Sequence, residues 1–300
     1  MQIRSFRSLE EALNETFGGD VNVPADLAAA DSRFNSTRVL FSGDGKKIFL
    51  KLSAAYNSSV FDAEEEGINA ISDTKTIAVP KLYCKGTDEN KGISFLMMEL
   101  IEQGPETEDS LRQMGIEFAN MHLADAKSFV AGGRYGFTGD NFIGASKQIN
   151  TPADSWIDFY RDCRLMPQIR MAEKSLGPDN MRSAMKLLEK LDLYLPEPKS
   201  PSLIHGDMWG GNYIIDKRGR AFLIDPAAYV GNAEADIAMT YMFSPMPRAF
   251  YEGYREMIPE EEGFRDRVDL YNLYHILNHH NLFGGYYLNA AIKIIRHYAG

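Results

Sequence analysis

The alternation of apolar and polar positions divides the chain into two parts with different predicted secondary structure. In about the first hundred residues, short apolar runs follow one another between polar turns, as in "STRVLFS", "KKIFLKLS", "VPKLYCKG" and "GISFLMMELI". Runs of this kind predict strands, and the "GDG" between the first two indicates a hairpin. "SLEEALNETF" predicts a helix capped by Ser8, and "FDAEEEGINAIS" predicts a second helix among the strands.

From about residue 107 the pattern becomes helical. Apolar side chains recur near helical spacing at Leu111, Met114, Phe118 and Met121, and "MRSAMKLLEKLDLYL" and the closing "YNLYHILNHHNLFGGYYLNAAIKIIRHYA" also predict helices. The change falls in the polar stretch "IEQGPETEDS", which suits a linker. We therefore predict an α+β chain with a small β-rich N-terminal lobe (residues 1–101) and a larger, mainly helical C-terminal lobe (residues 102–300).

Length and charge narrow the possible partners. A chain of 300 residues can bury a large core, and its net charge of −10 argues against nucleic acid or an anionic membrane, since both favour a basic face. No apolar run reaches the length that spans a bilayer, and the polar start "MQIRSFRSLEEALNE" predicts no signal peptide. The distant cysteines Cys84 and Cys163 suit a reducing compartment. We expect a cytoplasmic protein, and the sequence does not determine its oligomeric state.

Residues 203–226, "LIHGDMWGGNYIIDKRGRAFLIDP", carry the clearest chemical signal. Asp207 and Asn212 have the spacing of the protein-kinase loop D-x-x-x-x-N, in which Asp engages the acceptor hydroxyl and Asn holds a metal ion. Asp225 ends the second strand of a predicted hairpin, where kinases place their other metal ligand. Phosphoryl transfer needs Mg²⁺, which prefers oxygen ligands, and a carboxylate in line with the attacking hydroxyl. A single Asp in a turn is usually a capping or surface residue, but three such residues around one hairpin are seldom accidental.

The first lobe supplies candidate residues for the nucleotide. Lys51 lies inside an apolar strand, where its charge needs a partner, and Glu64 on the following helix matches the kinase pairing of a strand lysine with a helix glutamate. The alternatives are a strand-edge Lys51 facing water, and a neighbour of Glu64 in the run of residues 64–66 as the partner.

The adenine and phosphate contacts are predicted less directly. "SFLMMELIEQGP" would join the lobes, with the backbone of Glu99 to Ile101 at the adenine and Met97 or Met98 lining its pocket; an ordinary buried strand is the alternative. The loop "LAAADSRFNSTRVL" lacks the glycines of the kinase phosphate loop. If it covers the phosphates, it must use backbone amides and the hydroxyls of Ser32 and Ser36.

"HGDMWGGN" followed by "LIDPAAYVGNAEADIAM" closely resembles the fructosamine kinase family, which is related to the aminoglycoside phosphotransferases within the protein-kinase-like fold. "YGFTGDNFIG", "SWIDFYRDCRLMPQIRMA" and "NLFGGYYLNAAIKIIRHY", the last similar to that family's terminal helix, extend the similarity from about residue 10 to the end. The broader "HGDxxxxN … D" pattern belongs to many small-molecule kinases. The glycine-poor phosphate loop departs from the protein-kinase pattern.

The resemblance implies an ATP- and Mg²⁺-dependent kinase that phosphorylates the C3 hydroxyl of fructosamines or ribulosamines, free or on protein lysines, so that the amine is released. It implies that Asp207 is the base and that Asn212 and Asp225 bind Mg²⁺. Lys51 would hold the α- and β-phosphates, with Glu64 orienting it.

Other roles are implied more loosely by the same resemblance. His205 would pack within the loop, and Asp236 would accept hydrogen bonds from loop amides. The candidates for the acceptor pocket are Trp209, Asp140, Asn141 and Arg164; for each of these, packing is the alternative role.

Two other classes of function compete with this interpretation. Another small-molecule kinase of the same fold, acting on an aminoglycoside, choline or homoserine, shares the Asp207, Asn212 and Asp225 pattern. A nucleotide-binding module without activity would be expected to lack Lys51, Asp207 or Asp225, and all three are present. A protein-serine kinase is disfavoured because no "APE" segment follows Asp225.

Overall fold

The computed structural model describes residues 2–18, 21–22, 36–43 and 45–300. Its N-terminal part contains strands β1 (Arg4–Phe6), β2 (Val21–Asn22), β3 (Ser36–Ser42), β4 (Lys47–Ala54), β5 (Leu82–Asp88) and β6 (Ile93–Glu99). They form one sheet in the order β1-β5-β6-β4-β3-β2, antiparallel except for the parallel β1–β5 pair. The predicted hairpin is confirmed as the antiparallel β3–β4 pair.

The two faces of this sheet pack against different helices, because side chains alternate along a strand. On one face, Leu50 belongs to a buried cluster with Leu9 and Leu13 of helix α1 (Leu9–Phe17). The other face of β4 carries Phe49 and Lys51, and Phe49 packs with the cluster formed by helix α2 (Ser59–Thr74). Ser8 caps α1 as predicted, since its Oγ accepts a hydrogen bond from the Glu11 amide at 3.3 Å. Lys51 therefore faces α2, which carries Glu64.

The rest of the chain is mainly helical, and the predicted α+β class is confirmed. Its helices are α3 (Glu108–Leu123), α4 (Trp156–Phe159), α5 (Met166–Met171), α6 (Glu173–Glu189), α7 (Ala233–Met239), α8 (Arg248–Met257), α9 (Phe264–Phe283) and α10 (Tyr287–Ala299). A π-helical segment (Tyr160–Leu165) joins α4 to α5. Three small antiparallel pairs complete the fold: β7 (Asn141–Ile143) with β8 (Ser146–Gln148), β9 (Ser202–Ile204) with β12 (Tyr229–Gly231), and β10 (Tyr213–Ile215) with β11 (Ala221–Leu223).

Helices α3 and α8 cross at two glycines. A Cβ atom added at Gly115 would lie 2.1 Å from the Phe250 carbonyl oxygen, and one added at Gly253 would lie 2.0 Å from that of Arg112. The two backbones therefore touch, and any side chain at either position would force them apart. This contact fixes α3 beneath the loop that follows β9.

The C-terminal stretch differs from the single terminal helix expected over residues 281–298. Gly284 and Gly285 adopt φ values of 68° and 70°, which end α9 and allow α10 to start in a new direction. The parallel strand β1 and the pairs β7–β8 and β9–β12 were not predicted either. Within the described residues, no helix combines the length and the apolar character needed to cross a membrane.

Candidate active site

The loop between β9 and β10 holds Asp207 and Asn212 against each other. The Asn212 Nδ2 donates to the Asp207 carbonyl oxygen at 2.7 Å and to its carboxylate Oδ2 at 2.9 Å. Asn212 is buried and Asp207 is partly buried. Burial raises the pKa of Asp207 to about 7; the Asn212 hydrogen bond opposes the shift, and the charges of Asp225 and Asp236 reinforce it. The carboxylate is thus pre-positioned, and its second oxygen stays available for a ligand.

His205 and Gly206 tie this loop to the segment that carries Asp225. Gly206 has φ 80°, and an added Cβ would lie 2.1 Å from the Ala227 carbonyl oxygen. The Ala227 amide donates to the His205 carbonyl oxygen at 2.9 Å, and His205 Nε2 donates to the Ile224 carbonyl oxygen at 2.9 Å. Burial lowers the pKa of His205. The histidine is therefore a neutral packing residue, as expected, and the Ala227 carbonyl leaves no room for a side chain at Gly206.

Asp236 anchors the same loop from below. Its carboxylate accepts hydrogen bonds from the amides of His205 at 2.5 Å and Gly206 at 2.8 Å, and His122 Nε2 lies 3.2 Å away. His122 contacts the Tyr254 hydroxyl in turn, at 2.8 Å. The predicted contact of Asp236 with loop amides is confirmed, and the network links α7, α3 and α8 to the loop.

We expect Asp236→Asn to lower the free energy of unfolding by about 2 kcal/mol. Its neutral amide keeps the shape but weakens charge-assisted bonds, and its NH₂ group would oppose an N–H donor. Urea unfolding followed by circular dichroism measures the change. The exposed Asp192→Asn is the matched control and should fall within about 0.5 kcal/mol of wild type. Equal stability of the two variants would contradict the anchoring role.

The predicted ion pair between Lys51 and Glu64 is present. Lys51 Nζ lies 2.6 Å from Glu64 Oε1 and also contacts the carboxylate of Asp225. Burial alone would lower the pKa of Lys51, but the charges of Glu64 and Asp225 raise it to about 12, so the amine is protonated. Glu65 instead pairs with Lys85 at 2.8 Å, and Glu66 is exposed. The ambiguity among the three glutamates is thereby resolved in favour of Glu64.

Asp225 lies at the junction of the sheet and the helical part. It has a left-handed backbone with φ 55°, a conformation that Asp tolerates better than most residues. Its side chain is about half exposed, and α2 packs on the adjacent residue, because a Cβ at Gly67 would lie 3.1 Å from Pro226. The carboxylate therefore projects into the cleft between Lys51 and Asp207.

The donor set suits a magnesium ion shared with substrate. Asn212 uses its Nδ2 on Asp207, which leaves its Oδ1 and the carboxylate of Asp225 as oxygen ligands. Mg²⁺ is commonly held by one or two protein oxygens together with phosphate oxygens and water. Among the described residues, no group of three or more His, Cys, Asp or Glu side chains could hold a metal by itself. The residues present thus fit Mg²⁺ that arrives with a phosphorylated ligand.

The strand pairing shows on which face of the sheet each residue predicted for the adenine lies. Met98 pairs with Phe49 and lies on the Lys51 face, whereas Met97 packs on the opposite face with Leu50. The Glu99 amide donates to the Lys81 carbonyl oxygen at 2.8 Å and is not free for a base.

Two further residues lie on the same side of the cleft as Lys51. Ile101 packs with Phe222 of β11, so it lies where the two parts of the chain meet. Val39, which pairs with Phe49, shares the Lys51 face and was missed; the alternation along β3 could have revealed it.

The predicted phosphate contact of the Ser36 hydroxyl disagrees with the register. Ser36 lies opposite Leu52, which faces α1, and Thr37 lies opposite Lys51. The Ser36 side chain therefore points away from Lys51. Ser32, the other hydroxyl predicted for this contact, lies outside the described residues.

A pocket of about 270 Å³ opens beside Asp207. Trp209 is about 38% exposed and lines it, with its ring 5.5 Å from that of Phe243. Its exposure favours the predicted role as a pocket wall over a role in the core. Ile143, Leu282 and Phe283 also line the pocket. Ile143 belongs to the stretch "DNFIG", which the sequence placed at the acceptor pocket. Leu282, Phe283 and Phe243 were missed, because they come from distant segments that only the fold brings together.

The other residues predicted for the acceptor pocket do not line it. Arg164 is fully buried and donates to the Ile149 carbonyl oxygen at 2.6 Å and to Asn150 Oδ1 at 2.7 Å. Asn141 is buried and donates to the Ala228 carbonyl oxygen at 2.7 Å. Asp140 accepts from the Asn150 amide at 2.8 Å. These contacts correspond to the packing alternative, because each group already has partners within the protein.

The fold and the cleft define a phosphotransferase of the protein-kinase-like class. The crystal structure of an aminoglycoside phosphotransferase, in complex with AMP-PNP and hygromycin B, superposes with a TM-score of 0.59 at 16% identity, over 96% of this chain and 97% of that one. Within this class the chain belongs to the fructosamine kinase family, whose model, described as fructosamine kinase, matches residues 6–299.

Relatives at higher identity agree with this membership. A Synechocystis sp. protein named "Probable ketoamine kinase" is 36% identical over 97% of this chain and 96% of its own length. Rice protein-ribulosamine 3-kinase, chloroplastic, is 38% identical over 86% of this chain and 74% of its own length. A crystal structure from Thermobifida fusca, assigned as a fructosamine-3-kinase, superposes with a TM-score of 0.81 at 29% identity, over 98% of this chain and 99% of that one.

Proposed function

We propose that this protein is an ATP-dependent ketosamine 3-kinase that phosphorylates the C3 hydroxyl of fructosamines or ribulosamines. The observation that carries the proposal is the cleft itself: Lys51, paired with Glu64, contacts Asp225 opposite the Asp207–Asn212 pair. Membership of the fructosamine kinase family and the ketoamine and ribulosamine names of the relatives support this choice of acceptor.

The proposed reaction assigns a task to each residue of the cleft. Lys51 binds the α- and β-phosphates, and the adenine lies against Met98 and Ile101 within a nucleotide-binding lobe of residues 1–101. Asp207 orients the C3 hydroxyl and accepts its proton as the O–H bond breaks. The hydroxyl oxygen then bonds to the γ-phosphorus, whose bond to the β,γ-bridging oxygen breaks, and ADP leaves.

Asn212 and Asp225 would hold a magnesium ion, which would neutralise charge on the phosphates. The product, a ketosamine 3-phosphate, is unstable and releases the amine, so the reaction reverses glycation of small amines or of protein lysines. Cys84 and Cys163 are both buried and free, which supports a reducing, cytoplasmic location.

The charge of the acceptor pocket argues against an aminoglycoside as the acceptor. Asp207 is its sole carboxylate among the described residues that line it. A polycationic aminoglycoside would need several acidic partners there.

An ADP-release assay with MgATP tests the proposal. Fructoselysine, ribuloselysine, kanamycin and choline are offered side by side, and the phosphorylated carbon is identified by NMR. We expect turnover on a ketosamine with phosphate on the C3 oxygen. Turnover on kanamycin or choline alone would keep the kinase chemistry and overturn the acceptor. The absence of turnover on all four would redirect the test to glycated protein.

A further inference from the structure

Aromatic rings form a continuous row from the Asp207 pocket to the protein surface. The centroid of Phe243 lies 5.5 Å from that of Trp209 and 5.2 Å from that of His279. His279 is in turn 5.7 Å from Phe283 and 5.1 Å from Tyr287. Tyr287 stacks on Tyr286 at 4.2 Å. We call this row, which comprises Trp209, Phe243, His279, Phe283, Tyr286 and Tyr287, the aromatic wall.

Four side chains of the wall are exposed, and the other two, His279 and Tyr287, are partly buried. Trp209 is 38% exposed, Phe243 43%, Phe283 59% and Tyr286 69%. Exposed rings concentrated in one patch mark an interaction surface more often than isolated exposed side chains do. The break at Gly284 and Gly285 lets the start of α10 bring Tyr287 beside His279. The wall therefore continues the acceptor pocket outward.

The pocket and the wall are both lined mainly by aromatic and apolar side chains. None of the described residues that line the pocket is Lys or Arg, and its volume of about 270 Å³ lies below the usual range of small-molecule sites. A substrate bound at Asp207 is therefore only partly enclosed, and its remainder lies over exposed rings. Aromatic faces attract organic cations and apolar groups, but they offer no partner to a carboxylate.

A ketosamine has the complementary shape and charge. Its sugar carries the reacting hydroxyl, and its secondary amine is a cation that bears the substituent of the original amine. Resting on the function proposed above, we propose that the aromatic wall binds this ammonium group and its substituent. The wall selects ketosamines of apolar amines and of protein lysine side chains over those of free α-amino acids.

Three fructose adducts, made from methylamine, benzylamine and glycine, test the wall through kcat/KM. Wild type should favour the benzylamine adduct about tenfold over the methylamine adduct, mainly through KM, and should use the glycine adduct least. The double variant Phe283→Ala/Tyr286→Ala, at two exposed positions, should reduce the benzylamine-to-methylamine ratio to about twofold. Leu193→Ala, at an exposed apolar position outside the site, is the control and should leave the ratio at the wild-type value.

A wild-type ratio near one, an unchanged ratio in the double variant, or a preference for the glycine adduct would overturn the role of the wall. Calorimetric titration of the three adducts without ATP separates this test from the proposed kinase activity. Tighter binding of the benzylamine adduct than of the other two, lost in the double variant, supports the wall whether or not phosphate is transferred. Equal affinities would contradict the wall even if all three adducts were phosphorylated.

Discussion

Asp207→Asn should lower kcat by about 10²–10⁴-fold while the affinity for MgATP stays within about threefold of wild type. An amide cannot accept the hydroxyl proton, yet it has the size of the carboxylate and can keep its oxygen toward the Asn212 Nδ2, which lies 2.9 Å from Asp207 Oδ2. The loop conformation is set by Asp236 and Gly206, which the substitution does not touch. We therefore expect loss of the chemical step with an intact nucleotide site.

Single-turnover phosphate transfer to a ketosamine measures the first quantity, and isothermal titration calorimetry with MgATP measures the second. Asp154→Asn, at an exposed position in the mainly helical part of the chain, serves as the control and should match wild type in both. Turnover of Asp207→Asn at the wild-type rate would show that another group accepts the proton.

Asp225→Ala should weaken MgATP binding by roughly thirtyfold or more, corresponding to about 2 kcal/mol. The substitution removes a proposed metal ligand and the carboxylate that contacts Lys51 from the helical part of the chain. Because the loss acts through the metal, binding of ATP in EDTA should change much less. The difference between the two affinities, with and without Mg²⁺, is the quantity that calorimetry reports.

Two further variants separate the causes of this loss. Asp225→Asn keeps a residue that tolerates the φ of 55°, so it removes the charge without adding backbone strain. It should resemble Asp225→Ala if the charge matters. Glu66→Ala removes an exposed carboxylate from α2 and should bind MgATP like wild type. Normal MgATP affinity in both Asp225 variants would contradict the metal role.

The sequence predicted those parts of the site that depend on spacing along the chain. Asp207, Asn212 and Asp225 flank one hairpin, so local structure alone brings them together, and Lys51 and Glu64 lie on consecutive elements. Within the run of glutamates at residues 64–66, the sequence did not determine which one pairs with Lys51. The ion pairs of Glu64 and Glu65 with different lysines depend on how α2 packs, which the sequence pattern does not specify.

The pocket beside Asp207 was predicted less well, for a physical reason. A buried arginine such as Arg164 resembles a ligand-binding residue in sequence, and only its hydrogen bonds to backbone and Asn150 show that it serves packing. Phe243 and Phe283 belong to segments that meet only in the folded chain. Ser36 was misplaced because a shift of one residue along a strand turns a side chain to the other face.

The anchoring of the loop by Asp236 has a consequence for how such enzymes diversify. Its partners His205 and Gly206 lie on the loop that carries Asp207, and His122 lies on α3. The rings of the aromatic wall other than Trp209 lie instead on the segment after α7, on α9 and at the start of α10. Substitutions in those rings leave every hydrogen bond of the anchor in place. New acceptors can therefore be explored by mutation at little risk to phosphoryl transfer, which makes this protein a practical starting point for directed evolution toward other glycated amines.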